Sequence, residues 1–446
     1  MSFNWNELYQ QKLVSADDAA KVVKSGDWVE YSFGIASANA FDEALAKRQK
    51  ELSDVKIRCD IGAYKHHTLE SDPNLETFTW NSWHVAGADK AWVGKGLYYI
   101  PMKFHENPTM TRNNCAPDDV FVAMVSPMDK HGYFSWGSGN ASAMAAHETA
   151  KTTILEVNKN MPRVLGGGQE CIHISQVDYV FEADTPLPTL PPANPNEIET
   201  KIASYITPLL TDGACLQLGI GGVPNAVGTA IASSDLKDLG VHTEMYVDAY
   251  LEMFKAGKIT GKYKNLDKYK QVFAFAMGTQ DLYDFIDDNP SVVAYQVDYT
   301  NDPKIIAQFD NMVSINACIE VDLYGQVASE TVGTRHISGT GGQLDFVEGA
   351  FKAKNGKSFI CMASTKALKD GTKTSTIKNI LTPGAIVTTP RMAAHMIVTE
   401  FGIADLKGKS TWERAEALIN IAHPDFKEEL IAQATAQNIW RNSNKR

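Results

Sequence analysis

Five prolines between Pro186 and Pro195 divide the 446-residue chain into two parts. A segment so rich in proline favours extended backbone and excludes a helix. Because a chain of this length exceeds what one ordinary hydrophobic core holds, we expect at least two domains. The sequence therefore predicts an N-terminal domain over residues 1–183, a proline-rich linker over 184–197 and a C-terminal domain over 198–446.

The two parts of the chain repeat a similar order of patterns. Each begins with a helix-like segment, continues through a turn at residues 25–27 or 211–213, and enters an apolar run that predicts a strand. Later in each part an apolar strand is followed by Asp-x-x-Gly, at Asp129 and at Asp322, which is typical of a compact hairpin. We therefore predict an α/β fold of two related open-sheet domains with largely parallel strands. Chance matching of short, generic patterns is the alternative.

The segment Leu216-Gln-Leu-Gly-Ile-Gly-Gly-Val-Pro224 places a glycine-rich turn after an apolar strand. It departs from the dinucleotide fingerprint Gly-x-Gly-x-x-Gly because Pro224 stands at the third glycine position, and no Gly-Lys-Ser/Thr follows as in a Walker loop. What remains is a turn lined by backbone amides, ahead of a helix that should begin near Pro224 or Asn225. Such a turn can hold an oxyanion or a phosphorylated ligand. A tight structural turn is the alternative.

Glu244 is a carboxylate inside the apolar run of residues 240–247. A carboxylate in such a place is costly to bury unless it is hydrogen-bonded or functional. In open α/β sheets, ligands bind beyond the carboxyl ends of the strands, where the glycine turn and Glu244 could meet. The residues alone leave open a catalytic role, a paired structural role and an exposed position on the strand.

Three further positions in the C-terminal part could join the same site. Gly342 lies in a second glycine cluster, whose amides could complete an anion or oxyanion site. Asn316 is a polar residue in an apolar run and could bind a substrate carboxylate, or it could be a satisfied core amide. Lys366 follows another predicted strand and could meet a phosphate, although a lysine there is commonly only solvated.

Composition and charge argue against several classes of function. The formal net charge of −11 disfavours broad binding to nucleic acid or to an anionic membrane, since both require a basic surface. No apolar run is long enough to predict a membrane span, and the first ten residues lack the pattern of a secretion signal. The six cysteines are far apart, and neither Cys-x-x-Cys nor His-x-x-x-His occurs. We therefore expect reduced thiols, no bound metal and a cytoplasmic location.

Several longer segments resemble the acetyl-CoA hydrolase/CoA-transferase family, and the resemblance extends over essentially the whole chain. Its strongest part is Leu216-Gln-Leu-Gly-Ile-Gly-Gly-Val-Pro-Asn-Ala-Val-Gly228. The similarity continues through residues 239–248, 297–302 and 341–346, and it closes with Ala422-His-Pro-Asp-Phe426. Segments of this length are specific for the family and less specific for the substrate.

The resemblance implies a ping-pong transfer of coenzyme A. The nucleophilic glutamate of the family falls on Glu244, in the segment His242-Thr-Glu-Met245. Its carboxylate would attack an acyl-CoA thioester and form an acyl-glutamyl anhydride. It would then carry CoA as a glutamyl-CoA thioester until a second carboxylic acid accepts it.

The resemblance also implies which residues bind. Gly342 would donate an amide hydrogen bond to the oxyanions of the reaction. Asn316 matches a family asparagine near the reacting carboxylate, and Lys366 would contact the cofactor. The CoA-binding turn of the family maps onto Gly219, Ile220, Gly221, Gly222 and Val223.

The implied partners are an acyl-CoA and a short-chain carboxylate, with coenzyme A as a substrate and no permanently bound cofactor. Butyryl-CoA is the implied donor and acetate the acceptor, with 4-hydroxybutyryl-CoA as an alternative donor. The family also suggests a homo-oligomer. Two other functions remain open. One is an acyl-CoA hydrolase, in which water intercepts the enzyme intermediate; the other is a catalytically silent ligand sensor, in which Glu244 is replaceable.

Overall fold

The computed structural model describes residues 4–191 and 194–444. The described residues form two compact units. Unit 1 takes its residues from Met1–Pro191 and Val272–Thr300, and unit 2 takes its residues from Pro192–Gln271 and Asn301–Arg446. Pro192 and Ala193, which belong to the predicted linker, lie outside the described residues.

The strands are short and are numbered in chain order. They are β1 (Trp28–Phe33), β2 (Val55–Asp60), β3 (Phe78–Ser82), β4 (Leu97–Tyr99), β5 (Val120–Val125), β6 (Tyr133–Ser135), β7 (Thr152–Asn158), β8 (Leu165–Gly166), β9 (Cys171–His173), β10 (Tyr179–Ala183), β11 (Cys215–Leu218), β12 (Gly240–Tyr246), β13 (Gln271–Ala276), β14 (Val292–Ala294), β15 (Met312–Ala317), β16 (Glu320–Asp322), β17 (Val327–Ala328), β18 (Thr331–Val332), β19 (Arg335–His336), β20 (Lys357–Cys361), β21 (Thr365–Ala367), β22 (Lys373–Ser375), β23 (Ile377–Lys378), β24 (Met396–Thr399) and β25 (Gly402–Asp405).

The α-helices are α1 (Trp5–Lys12), α2 (Ala16–Ala20), α3 (Asn39–Ala46), α4 (His67–Ser71), α5 (Asn107–Arg112), α6 (Ala143–Thr149), α7 (Glu197–Ile206), α8 (Gly222–Ala232), α9 (Asp248–Lys255), α10 (Gln280–Ile286), α11 (Val297–Thr300), α12 (Pro303–Ile306), α13 (Gln343–Lys352), α14 (Thr411–Asn420) and α15 (Pro424–Ala436). Short 3-10 helices lie at Gly34–Ala36, Gly87–Ala91, Phe104–Glu106, Gly137–Gly139, Ile174–Gln176 and Thr207–Leu209.

Unit 1 contains a seven-stranded sheet in the order β10-β7-β5-β1-β2-β3-β4. Each neighbouring pair of strands in it is parallel. Every residue of β5 is buried, because the strand sits near the middle of the sheet and is covered on both faces. One face packs a cluster that includes Val122 and Phe41, and the other packs a cluster that includes Phe121 and Trp136.

The sheet of unit 2 runs in the order β25-β24-β20-β15-β11-β12. Its strands are parallel except for the hairpin of β24 and β25. In the centre, Leu216 of β11 is in register with Val241 of β12 on one side and with Val313 of β15 on the other. All four residues of β11 are buried. The glycine turn follows β11 directly, so it lies at the carboxyl end of a central strand.

Two helices hold the glycine turn of unit 2 in place. Helix α8 begins at Gly222, directly after the turn, and packs against α9, which follows β12. The helices approach closely because Gly228 has no side chain: a Cβ atom there would lie 2.6 Å from Cβ of Ala249. The packing therefore fixes the start of α8 relative to the strand that carries Glu244.

The predicted α/β fold with largely parallel strands is confirmed. The repeated Asp-x-x-Gly turns have matching hydrogen bonds. The side chains of Asp129 and Asp322 each accept from the amides two and four residues ahead, and the amides of Gly132 and Gly325 donate to the main-chain carbonyls of these aspartates. The predicted helix after the linker is α7, which has a capping box at Asn196.

The two units differ from the predicted domains in one segment. The prediction placed residues 198–446 in one C-terminal domain, whereas Val272–Thr300 belongs to unit 1. Its backbone bonds explain the difference. Strand β14 is in parallel register with β8, and the amide of Ala141 donates to the carbonyl of Ala274 at 3.0 Å. A strand pairing with a distant part of the chain has no local sequence signal.

Three further observations concern membrane segments, metals and thiols. Among the described residues, no helix has the length and apolar character needed to cross a membrane. The same residues contain no group of three or more His, Cys, Asp or Glu side chains that could hold a metal ion. The cysteines are free thiols; Cys215 and Cys361 are buried, whereas Cys115 is exposed.

We expect Gly228→Ala to destabilise the protein by roughly 1 kcal/mol. The new methyl group would overlap with Ala249, and overpacking costs about 1–3 kcal/mol, which exceeds the gain of up to about 1 kcal/mol in helix propensity. Chemical denaturation measures the free energy of unfolding. The control is Thr229→Ala at the next, exposed position of α8. A Gly228→Ala protein more stable than wild type would contradict the close packing of the two helices.

Candidate active site

Glu244 lies near the carboxyl end of β12, and its side chain is partly exposed while both neighbours in sequence are buried. Thr243 and Met245 are almost fully buried, so the strand is anchored on either side of the carboxylate. A partly exposed carboxylate on a buried strand can receive a substrate without unfolding its surroundings. This position excludes a fully solvated role on a surface strand.

Two hydrogen-bond donors hold the carboxylate of Glu244. The Nδ2 atom of Asn301 donates to Oε2 at 2.6 Å, and the backbone N–H of Gly342 donates to the same carboxylate. The contact with Gly342 requires glycine, since a Cβ atom at that position would lie 1.9 Å from Oε2 of Glu244 and 2.1 Å from Nδ2 of Asn301. The carboxylate is therefore oriented before any substrate arrives.

Burial raises the pKa of Glu244 from its ordinary 4.5 to about 7. The negative charge of Asp345, a buried residue in the first turn of α13, raises it further, whereas the hydrogen bonds from Asn301 and Gly342 lower it. Burial has the largest effect. A more basic carboxylate is a better nucleophile, and a raised pKa in a partly open site is typical of reactive groups.

The glycine turn presents backbone amides at the start of an eleven-residue helix. Gly219 donates to the carbonyl of Ile315 at 2.8 Å, so its own amide is already used. Gly221 has a φ of +123°, a conformation that favours glycine. Ile220, between them, is 50 % exposed. The amide of Gly219 thus bonds the turn to the sheet, whereas the side chain of Ile220 is open to solvent.

Glycine at position 222 allows a close approach of a glutamate side chain. A Cβ atom there would lie 1.8 Å from Oε1 of Glu199 on α7. Glu199 caps its own helix by accepting from the amide of Asn196 at 2.8 Å. The carboxylate of Glu199 therefore lies against the first residue of α8, and the negative charge there counts against a free phosphate at that point.

Asn316 lies beneath the turn in a buried polar network. Its amide exchanges hydrogen bonds with the amide of Gln217 at 3.3 Å, and its Nδ2 donates to Oγ of Ser314 at 2.8 Å. Its Oδ1 is 3.0 Å from where a Cβ atom of Gly219 would lie. These contacts are those of a core amide, the alternative given for Asn316, and they support the turn. The side-chain amide that donates to Glu244 is that of Asn301.

Lys366 lies on β21, which forms a two-stranded hairpin with β22 in which Lys366 faces Thr374. Its side chain is partly exposed. Its positive charge adds to burial in lowering the pKa of Lys378. Cofactor contact by Lys366 stays a prediction.

Sequence reasoning did not single out two residues that act on Glu244. Asn301 lies in the segment 297–302 and Asp345 in the segment 341–346, both noticed only as parts of a family resemblance. Asn301 is 57 positions from Glu244 along the chain, so no local pattern links them. Asp345 had a weak signal, since it stands three residues after Gly342 at the start of a helix.

We expect Glu244→Gln to gain stability over wild type as the pH rises. A folded-state pKa above the unfolded value means that ionisation opposes folding, so wild type loses stability between about pH 4.5 and 7, whereas glutamine does not ionise. Between pH 4.5 and pH 8, the free energy of unfolding of Glu244→Gln should rise by about 1–3 kcal/mol relative to that of wild type. Denaturation at both pH values measures it. Glu252→Gln, an exposed position on α9, is the control; an equal response of both variants would contradict the raised pKa.

Comparison with known proteins places the chain in a family. The acetyl-CoA hydrolase/transferase N-terminal domain matches residues 2–191, and the C-terminal domain of the same name matches residues 278–434. A probable butyrate:acetyl-CoA coenzyme A-transferase from Syntrophomonas wolfei is 66% identical over 440 residues, 98% of each chain. A butyryl-CoA:acetate CoA-transferase from Anaerostipes caccae is 50% identical over 448 residues, 100% of each chain. The crystal structure of RipA from Yersinia pestis, 36% identical, matches with a TM-score of 0.91 over 98% of this chain and 100% of RipA. The resemblance seen in the sequence is thus confirmed, and the chain belongs to the acetyl-CoA hydrolase/transferase family.

Proposed function

We propose that the protein transfers CoA from butyryl-CoA to acetate, with Glu244 as the nucleophile. The observation that carries the proposal is a partly exposed carboxylate that accepts from Asn301 at Oε2 and also from the amide of Gly342, and whose pKa lies at about 7. The names of two relatives that match the chain over nearly its full length support the choice of butyryl-CoA and acetate. Coenzyme A is then a substrate, and no resident cofactor takes part.

The first half of the reaction forms two covalent intermediates. The Glu244 carboxylate attacks the thioester carbonyl; a carbon–oxygen bond forms, the carbon–sulfur bond breaks, and CoA leaves as the thiolate. The thiolate then attacks the glutamyl carbonyl of the anhydride, and butyrate leaves. The enzyme now carries CoA as a thioester, so the free energy of the thioester is kept rather than lost to water. Acetate enters by the same two steps in reverse.

The donors to Glu244 fit the charge that develops in this sequence. When the thiolate attacks the glutamyl carbon, one oxygen of that carboxyl group becomes an oxyanion. Asn301 and Gly342 already donate to the carboxylate, and Asn301 contacts Oε2 at hydrogen-bond distance. Donors fixed in place before the reaction stabilise such an oxyanion without reorganising. Since Oε2 is held, Oε1 is the oxygen that attacks the substrate.

Acyl-CoA hydrolysis is the main alternative, because water could intercept either intermediate on the same residues. The two functions differ in their requirement for an acceptor. Transfer forms acetyl-CoA and turns over butyryl-CoA repeatedly only when acetate is present, whereas hydrolysis releases free CoA without it. 4-Hydroxybutyryl-CoA should be compared as a donor in the same assay.

We expect Glu244→Gln to abolish transfer while the protein stays folded. Removing a nucleophile typically costs on the order of 10³-fold or more in kcat. The measurement is acetyl-CoA formation from butyryl-CoA and acetate, followed by borohydride reduction of protein incubated with butyryl-CoA alone and mapping of the modified peptide. Glu252→Gln serves as the control. Full exchange activity in Glu244→Gln, or a reduced peptide that lacks residue 244, would refute the proposed nucleophile. Turnover independent of acetate would identify a hydrolase instead.

We expect Gly342→Ala to lower kcat by about 100-fold, because its methyl group must displace Glu244 or Asn301 and a shift of about 1 Å costs that much. The thermal midpoint should change little, since Gly342 precedes α13 and the atoms nearest the new methyl group are the ends of two side chains rather than backbone. Lys352→Ala, at the exposed end of the same helix, is the control. Wild-type kcat in Gly342→Ala would show that the amide contact with Glu244 is not used in the reaction.

A further inference from the structure

Strands β11 and β12, which lead to the site, stop pairing with each other before they end. Strand β11 is in register with β12 at Cys215–Gly240 and Leu216–Val241, and with β15 through Leu218. Successive amides of a strand point to opposite sides. Gly219 donates towards β15, so the amide of Leu218, just before it, points towards β12, beyond the last registered pair.

A tyrosine hydroxyl fills the gap between these strands. The backbone N–H of Leu218 donates to the hydroxyl of Tyr250 at 2.7 Å. That hydroxyl donates to Oγ1 of Thr243 at 3.0 Å, and Thr243 donates to the carbonyl of Met245 at 3.0 Å. The chain of bonds joins the residue before the glycine turn to the residues on both sides of Glu244. Leu218, Thr243 and Tyr250 are fully buried.

The position of this hydroxyl is fixed by its helix. Tyr250 lies on α9, whose Ala249 meets α8 at Gly228 with no room for a Cβ atom. Its ring stacks on that of Tyr246 with centroids 5.1 Å apart. Burial raises the pKa of Tyr250, so the hydroxyl stays protonated and can both accept and donate. An alternative rotamer would leave the amide of Leu218 buried without this partner, which is costly.

We propose that Tyr250 is a positioning residue whose hydroxyl sets the spacing between the glycine turn and Glu244. This inference rests on the proposed function, in which Glu244 attacks the thioester, and on the predicted binding of CoA by the glycine turn. Reacting atoms must come within about 3–3.5 Å of each other, and a misplacement of about 1 Å costs on the order of 100-fold in rate. A rigid link between the two parts of the site meets that requirement.

The test is Tyr250→Phe, with Tyr246→Phe as a matched control. Each variant removes one buried hydroxyl from the same ring stack, and the hydroxyl of Tyr246 donates to Gln271 at 2.8 Å, away from the link. We expect Tyr250→Phe to lower kcat by about 10- to 100-fold while KM for butyryl-CoA changes by less than about 3-fold. Tyr246→Phe should keep the wild-type kcat at a similar loss of thermal stability. The rate of adduct formation in a single turnover should fall in parallel with kcat.

A second pair of variants covers the case in which Tyr250→Phe does not fold. Thr243→Val removes the hydroxyl that accepts from Tyr250 and keeps the shape of the side chain, whereas Thr243→Ser keeps the hydroxyl. Low kcat in the valine variant with recovery in the serine variant supports the link.

The positioning role would be overturned if Tyr250→Phe had the same kcat as Tyr246→Phe. It would also be overturned if both Thr243 variants had the kcat of wild type. A wild-type protein that transfers no CoA would instead overturn the proposed function, and the role of Tyr250 with it. The two failures are therefore distinguishable.

Discussion

The site depends on how a carboxylate that is only partly exposed to solvent is held without a counter-charge. Glu244 has no cation among its contacts described above; its Oε2 is held by an amide side chain, and a backbone amide also donates to the carboxylate. Two neutral donors compensate only part of the cost of burial, which is why the pKa remains near 7. A cation in the same place would have stabilised the charge and weakened the nucleophile. The same neutral donors can also stabilise an oxyanion, so one set of hydrogen bonds serves both the resting carboxylate and the reaction intermediates.

The fold of unit 2 supplies this arrangement through strands that separate at their carboxyl ends. The registered pairs of β11 and β12 end at Leu216 and Val241, which leaves a gap between the two strands ahead of the glycine turn and Glu244. The side chains that fill the gap are polar and fully bonded: Tyr250 on one side of β11, and the network of Gln217, Ser314 and Asn316 on the other. At Gly219, Gly222, Gly228 and Gly342 an added Cβ atom would lie within 3.0 Å of a neighbouring side chain, so a larger residue at these positions would require that neighbour to move.

Local sequence patterns predicted those strands, turns and helices that are defined by residues adjacent in the chain. The turn at residues 219–223 and the Asp-x-x-Gly turns follow from glycine and aspartate at set positions, whereas α8 begins at Gly222, two residues before the earliest predicted start at Pro224. Contacts between distant residues could not be predicted in this way. Asn301 reaches Glu244 across 57 positions, and Val272–Thr300 joins unit 1 through strand pairing far along the chain. For Asn316, polarity in an apolar run left open a substrate-binding residue and a core amide, and it could not say which groups the amide would bond.

The central claim is that the carboxyl oxygens of Glu244 pass through covalent bonds during each cycle. Turnover with acetate labelled with heavy oxygen tests it most directly. When labelled acetate attacks the glutamyl-CoA thioester and CoA then leaves with the acetyl group, one acetate oxygen remains on the enzyme. Mass spectrometry of the peptide that contains residue 244 should therefore detect heavy oxygen in that glutamate after turnover with butyryl-CoA. An unlabelled Glu244 in protein that has converted labelled acetate to acetyl-CoA would contradict the account.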